Sequence, residues 1–139
     1  MRYWLFKSEP STWGWDDQTA KGEAGEEWDG VRNYQARNFM REMTVGDLGF
    51  FYHSQKKRAV VGIVGVCAAA HPDSTTDDDR WECVDIKAVR PFETPVTLDQ
   101  IKTDERLGDM VLVKNSRLSV QPVTEAEWLA ICAMGNTKP

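Results

Sequence analysis

At 139 residues, 41% hydrophobic and 28% charged, the chain has the make-up of an ordinary globular protein with room for one core, so a single domain spanning 1–139 is expected. No apolar run approaches the roughly 18 residues of a membrane span, and the segment from Met1 to Lys7 lacks the apolar stretch of a secretion signal, so no membrane partner and a cytoplasmic setting (nuclear in a eukaryote) are expected. A formal net charge of −5 argues against indiscriminate attraction to phosphate, although six basic residues face two acidic ones between Val31 and Arg58.

Arg2 to Lys7 reads as an aromatic-rich strand, and Ser8-Glu9-Pro10-Ser11 as the turn that ends it, with a short helix expected to follow. Lys21 to Gly30 reads as a loop ending in the turn signature Trp28-Asp29-Gly30. Beyond it Ala36, Phe39, Met40 and Met43 recur at helical spacing, with Asn33 as N-cap and Gly46 past the end. The other face of this helix carries Arg37 and Arg41, suited either to simple solvation or to an anion.

Strands are expected at Leu48 to His53, Ala59 to Ala69 and Trp81 to Val89. The prolines from Pro91 to Pro95 are expected to break the chain, and Thr97 to cap a short helix with Leu98 and Ile101. Met110 to Val113 and Leu118 to Val120 read as closing strands, and Thr124 with Glu127 as the capping box of a last helix stopped by Gly135. The pattern predicts an α+β fold whose sheet is small and curved or barrel-like, with short flanking helices.

Enzymatic signatures are missing from the sequence. It has no H-E-x-x-H, C-x-x-C, G-x-S-x-G or phosphate-loop pattern, so no catalytic residue, no metal and no cofactor is expected. Cys67, Cys83 and Cys132 are odd in number and embedded in apolar stretches, as reduced core thiols would be. Tryptophan is the residue in excess. Trp4, Trp81 and Trp128 fit core positions, whereas Trp13, Trp15 and Trp28 lie near turns, where a flat ring beside arginines can hold a nucleobase.

Four segments then become specific together: Trp4 to Pro10, Trp28 to Phe39, Phe51 to Ser54, and Ser116 to Val123. In this order they resemble the signature segments of the EVE domain, a PUA-like family related to the YTH and ASCH domains. The resemblance spans nearly the whole chain. It implies a monomeric, non-catalytic module that reads a modified base, notably a modified cytosine, in DNA or RNA.

Carried over by position, the base pocket comprises Ser8, Glu9, Trp13, Trp28, Val31, Asn33, Tyr34, Asn38, His53, Ser54, Leu118 and Ser119. Lys7, Arg32, Arg37 and Arg117 are the expected phosphate contacts. Asn33 stands equally as N-cap and as ligand contact. A buried methyl group contributes only about 0.8 kcal/mol, so strong preference for a methylated base requires shape or a further hydrogen bond. Two alternatives accompany the reader: an ASCH-like amidohydrolase using Lys7 and Glu9 with an unplaced threonine, and a module for a small anionic ligand.

Overall fold

The computed structural model describes residues 1–139. Its strands are β1 (Tyr3–Ser8), β2 (Glu26–Glu27), β3 (Leu48–His53), β4 (Ala59–Pro72), β5 (Glu82–Thr97) and β6 (Val120–Val123). Its helices are α1 (Trp15–Ala20), α2 (Tyr34–Glu42), α3 (Leu98–Thr103), α4 (Val111–Lys114) and α5 (Glu125–Met134). The strands form one mixed sheet in the order β2-β5-β4-β3-β1-β6. β1 is parallel to β3 and antiparallel to β6, and the other pairings are antiparallel.

The α+β class and the small curved mixed sheet with short flanking helices are as expected; the sheet stays open, with β2 and β6 as edges. Both faces of the sheet are covered, as alternation along β1 shows. Leu5 joins a core with Phe50, Val60, Ile63, Trp128 and Ile131, while Trp4 and Phe6 join a second core with Met40, Phe51, Val64 and Ile86. Successive side chains enter opposite faces. α3, α4 and α5 cover the first face and α2 the second, so the sheet is a middle layer and neither face encloses a barrel lumen.

Three expectations are corrected here. Pro91 to Pro95 does not break the chain, because β5 runs through both prolines. β2 pairs only with Asp85 and Ile86, so the proline segment has a strand on one side alone and its missing N–H groups break no second ladder. Met110 to Val113 is not a strand: Val111 opens α4, with Val113 and Lys114 donating to the Met110 carbonyl at 3.0 and 3.1 Å. A four-residue apolar run carries no period long enough to separate the two states. The closing strand begins at Val120, two residues later than the start expected at Leu118, and is the edge strand that tolerates Pro122.

Smaller differences concern aromatics and thiols. Trp81 is buried but precedes β5, stacked on Tyr34 with ring centroids 4.9 Å apart. Trp4 and Trp128 are fully buried. All three cysteines are free; Cys83 and Cys132 are buried and Cys67 is half-buried.

Candidate functional site

A cleft of about 450 Å³ opens where β1 ends, within the roughly 300–1,000 Å³ typical of ligand sites. Its lining comes from Lys7 to Trp13, from Glu26 to Arg32, and from Ser119. The end of β1 is held on both sides. The Lys7 N–H donates to the Ser119 carbonyl and the Ser54 N–H to the Ser8 carbonyl, each at 2.9 Å.

Trp13 forms one wall. The Ser8 hydroxyl donates to its carbonyl, and its indole Nε1 donates to Gln18 Oε1 at 3.0 Å. Gln18 is fully buried and its Nε2 donates to the Ile86 carbonyl at 3.0 Å, so Trp13 is braced against β5. Trp28 forms the floor. Its ring is edge-on to Phe6 and Phe51 at 5.5 and 5.8 Å, leaving it 9% exposed within the second core. A loop tryptophan expected to stand free is thus also a core residue, because β1 and β3 bring Phe6 and Phe51 beneath it.

The rim from Asp29 to Arg32 depends on one buried carboxylate. Gly30 adopts φ 77°, the left-handed region that suits glycine, and its N–H donates to Asp73 Oδ2 at 2.9 Å. Arg32 Nη1 donates to the same oxygen at 3.1 Å, while Thr75 donates to Oδ1 through its N–H and hydroxyl at 2.8 and 2.5 Å. Burial pushes the Asp73 carboxyl up, but the hydrogen bonds from Thr75, Gly30 and Arg32 prevail and bring it down to about 2.

Carboxylates dominate one wall: Glu26, Glu27 and Asp29. Desolvation, then repulsion by Asp73, Glu27 and Glu26, raises the Asp29 carboxyl above its ordinary value. Burial and the neighbouring Arg58 charge lower the Lys7 ammonium, whose Nζ donates to the Ser116 carbonyl. The cleft therefore offers two indoles, carboxylate acceptors, and the remaining N–H groups of the Lys7 ammonium.

Of the residues expected in the base pocket, Ser8, Glu9, Trp13, Trp28, Val31 and Ser119 line the cleft, joined by Lys7 and Arg32. The others lie outside its lining for identifiable reasons. Asn33 is the N-cap of α2, accepting from the Ala36 N–H at 2.9 Å. Tyr34 is stacked on Trp81, and Asn38 accepts from Arg37 Nη2 at 2.8 Å. His53 accepts from the Trp15 N–H through Nε2 at 3.0 Å, and burial lowers its pKa despite the opposing charge of Asp16. The Ser54 hydroxyl donates to the Ser8 carbonyl at 3.2 Å, and Leu118 is buried in the second core.

Among the expected phosphate contacts, Arg32 is ion-paired with Asp73, and Arg37 lies 4.8 Å above the Tyr34 ring while donating to the Arg80 carbonyl at 2.8 Å. Arg117 is exposed but outside the cleft lining. Sequence reading missed Thr12, Glu26 and Glu27, whereas Asp29 and Gly30 lie inside the Trp28 to Phe39 segment it singled out. The acids beside Trp28 were the available signal.

The sequence model of the EVE domain matches residues 2–134. Mouse thymocyte nuclear protein 1 is 36% identical over 169 aligned residues, covering 99% of this chain and 75% of the relative. A crystal structure of a protein from Agrobacterium tumefaciens superimposes with TM-score 0.97 at 59% identity, covering 99% of this chain and 94% of that one. Human THYN1, in its crystal structure in complex with 5-methylcytosine-containing DNA, superimposes with TM-score 0.89 at 33% identity over the full length of both chains.

Proposed function

The chain belongs to the EVE-domain family, and from that premise we propose that it is a non-catalytic, single-domain, monomeric reader of a modified base, specifically a methylated cytosine in DNA. The observation that carries this reading is the pairing of two indoles, Trp13 and Trp28, with a row of carboxylates in one cleft. Base–aromatic stacking is worth about 1–3 kcal/mol, and carboxylates accept from the exocyclic amine of cytosine. The same acids repel phosphate, so the base enters and its backbone stays outside. They equally disfavour the small-anion alternative. The human relative bound to 5-methylcytosine DNA supports the same reading.

Extruding a base from its stack costs a few kcal/mol, which contacts inside the cleft must offset. Binding of short oligonucleotides carrying cytosine, 5-methylcytosine or 5-hydroxymethylcytosine, followed by tryptophan quenching, tests the proposal. Selective quenching by one modified base is the expected result. Equal affinity for all three, or none, refutes it.

One observation favours a second reading. Thr12 joins Lys7 and Glu9 in the cleft lining, which is the residue set an amidohydrolase on a modified nucleoside would use. The lowered Lys7 ammonium suits a base, but its Nζ is engaged by the Ser116 carbonyl. Release of product from an acylated cytidine, lost in Lys7→Ala, would establish hydrolysis; tight binding without turnover would exclude it.

A further inference from the structure

The cleft does not end at Lys7. It shares Lys7, Glu9 and Ser119 with a second hollow of about 420 Å³, which in turn shares Gln55, Arg58 and Leu98 with a third of about 890 Å³. The three form a continuous groove from the indoles across the β3–β4 turn to α3. The charge along it is one-sided. Lys56, Lys57, Arg58 and Lys102 line the far end, where Asp99 is the only carboxylate.

These four cations are exposed, and none has a carboxylate within salt-bridge distance. On the Arg32–Arg37 side most cations are already engaged, and Arg37, which has no carboxylate partner, donates to the Arg80 carbonyl and to Asn38 Oδ1, each at 2.8 Å. Arg32 pairs with Asp73 at 3.1 Å, Arg41 with Glu82 and Arg80 with Asp78 at 2.5 Å each. A cation neutralised within the protein has less to offer a phosphate, whereas a free one exchanges small counterions for it. The turn itself is set: Gln55 adopts φ 74°, and Arg58 Nε donates to its carbonyl at 3.1 Å.

We infer that the strand presenting the base leaves the cleft over Lys7 and lays its phosphates along Lys56, Lys57, Arg58 and Lys102, away from the Arg32–Arg37 side. This rests on the reader proposal for the direction of the strand and for the class of ligand. On a molecule of net charge −5, this strip supplies the local attraction that the whole surface denies. Glu27 and Asp29 line the cleft without a cation at salt-bridge distance, while Glu26 pairs with Lys21 at 3.1 Å, so the carboxylate charge left over disfavours phosphate on that side.

The test compares the nucleoside 5-methyl-2′-deoxycytidine with a short single strand carrying that base, against wild type and the Lys56→Ala/Lys57→Ala/Lys102→Ala variant. The three lysines are exposed, so an unchanged melting temperature is expected. Oligonucleotide affinity falls and its log–log salt slope becomes shallower by about 2, at roughly 0.7 per phosphate contact on single strands. Nucleoside affinity stays unchanged. Arg41→Ala, which removes an ion-paired cation, leaves the slope as in wild type. Unchanged oligonucleotide affinity and slope in the triple variant, with the nucleoside still bound, overturns the track and leaves the reader standing. Charge-dependent oligonucleotide binding without nucleoside binding supports the track and overturns the base pocket.

Discussion

Trp28 sits where core and cleft meet, and the position of its ring separates two consequences of removing it. Phe6 and Phe51 contact the indole edge-on, so Trp28→Ala leaves a cavity beneath the cleft as well as an empty stacking position. Loss of about 3–5 kcal/mol in urea denaturation is expected, together with loss of base binding. Trp13 is half-exposed and held by Gln18, so Trp13→Ala is expected to weaken base binding about tenfold or more while costing much less stability than the Trp28 change. Equal denaturation midpoints for the two variants would remove Trp28 from the core. From sequence, Trp28 and Trp13 looked alike because both lie near turns; burial depends on Phe6 and Phe51, whose placement only strand pairing reveals. The Asn33 side chain caps α2 by accepting from the Ala36 N–H.

Elements hold the residues in place through contacts that differ in how local they are. α5 was legible because its capping box spans four consecutive residues: the Glu127 N–H donates to Thr124 Oγ1 at 3.2 Å and the Thr124 N–H to Glu127 Oε1 at 2.9 Å. Thr124→Ala should lower stability by about 1 kcal/mol without affecting base binding, as urea denaturation and quenching would show. Gly62 in β4 is the opposite case. A Cβ there would lie 2.4–2.6 Å from ring carbons of Trp15, which packs edge-on against Phe51 at 5.4 Å. Gly62→Ala is therefore expected to displace α1 and cost about 1–3 kcal/mol. Because α1 carries Gln18, the brace of Trp13, base affinity should fall as well. An unaffected melting temperature would mean that Trp15 moves aside freely. The close approach of Trp15 to this glycine was invisible in the sequence because forty-odd residues separate the two.

At the scale of the whole molecule, Asp73 couples the cleft rim to global stability. Its folded carboxyl lies at about 2 against an ordinary 3.8, so it contributes stability above the ordinary value and loses it as pH falls through about 2. Its side chain is 1% exposed, which supports a contribution of roughly 2 kcal/mol at neutral pH. Acid denaturation of wild type should steepen between pH about 4 and 2, and Asp73→Asn should flatten that window while lowering stability at pH 7. Parallel acid profiles for the two proteins would show that Asp73 is unimportant to the fold.

The sequence by itself determined what is local: the strand-forming runs of β1, β3 and β4, the helical period of α2, the caps at Asn33, Thr97 and Thr124, the lack of catalytic motifs, and the ordered segments that mark the family. These depend on neighbours within a few residues, so one-dimensional spacing carries them. Tertiary structure decided what depends on distant partners. It left the sheet open with both faces covered, carried β5 through its prolines, buried Trp28, and paired Arg32 with Asp73 across 41 residues. Whether a charge is free to meet a phosphate, or a ring is free to meet a base, is a property of what else has already packed against it.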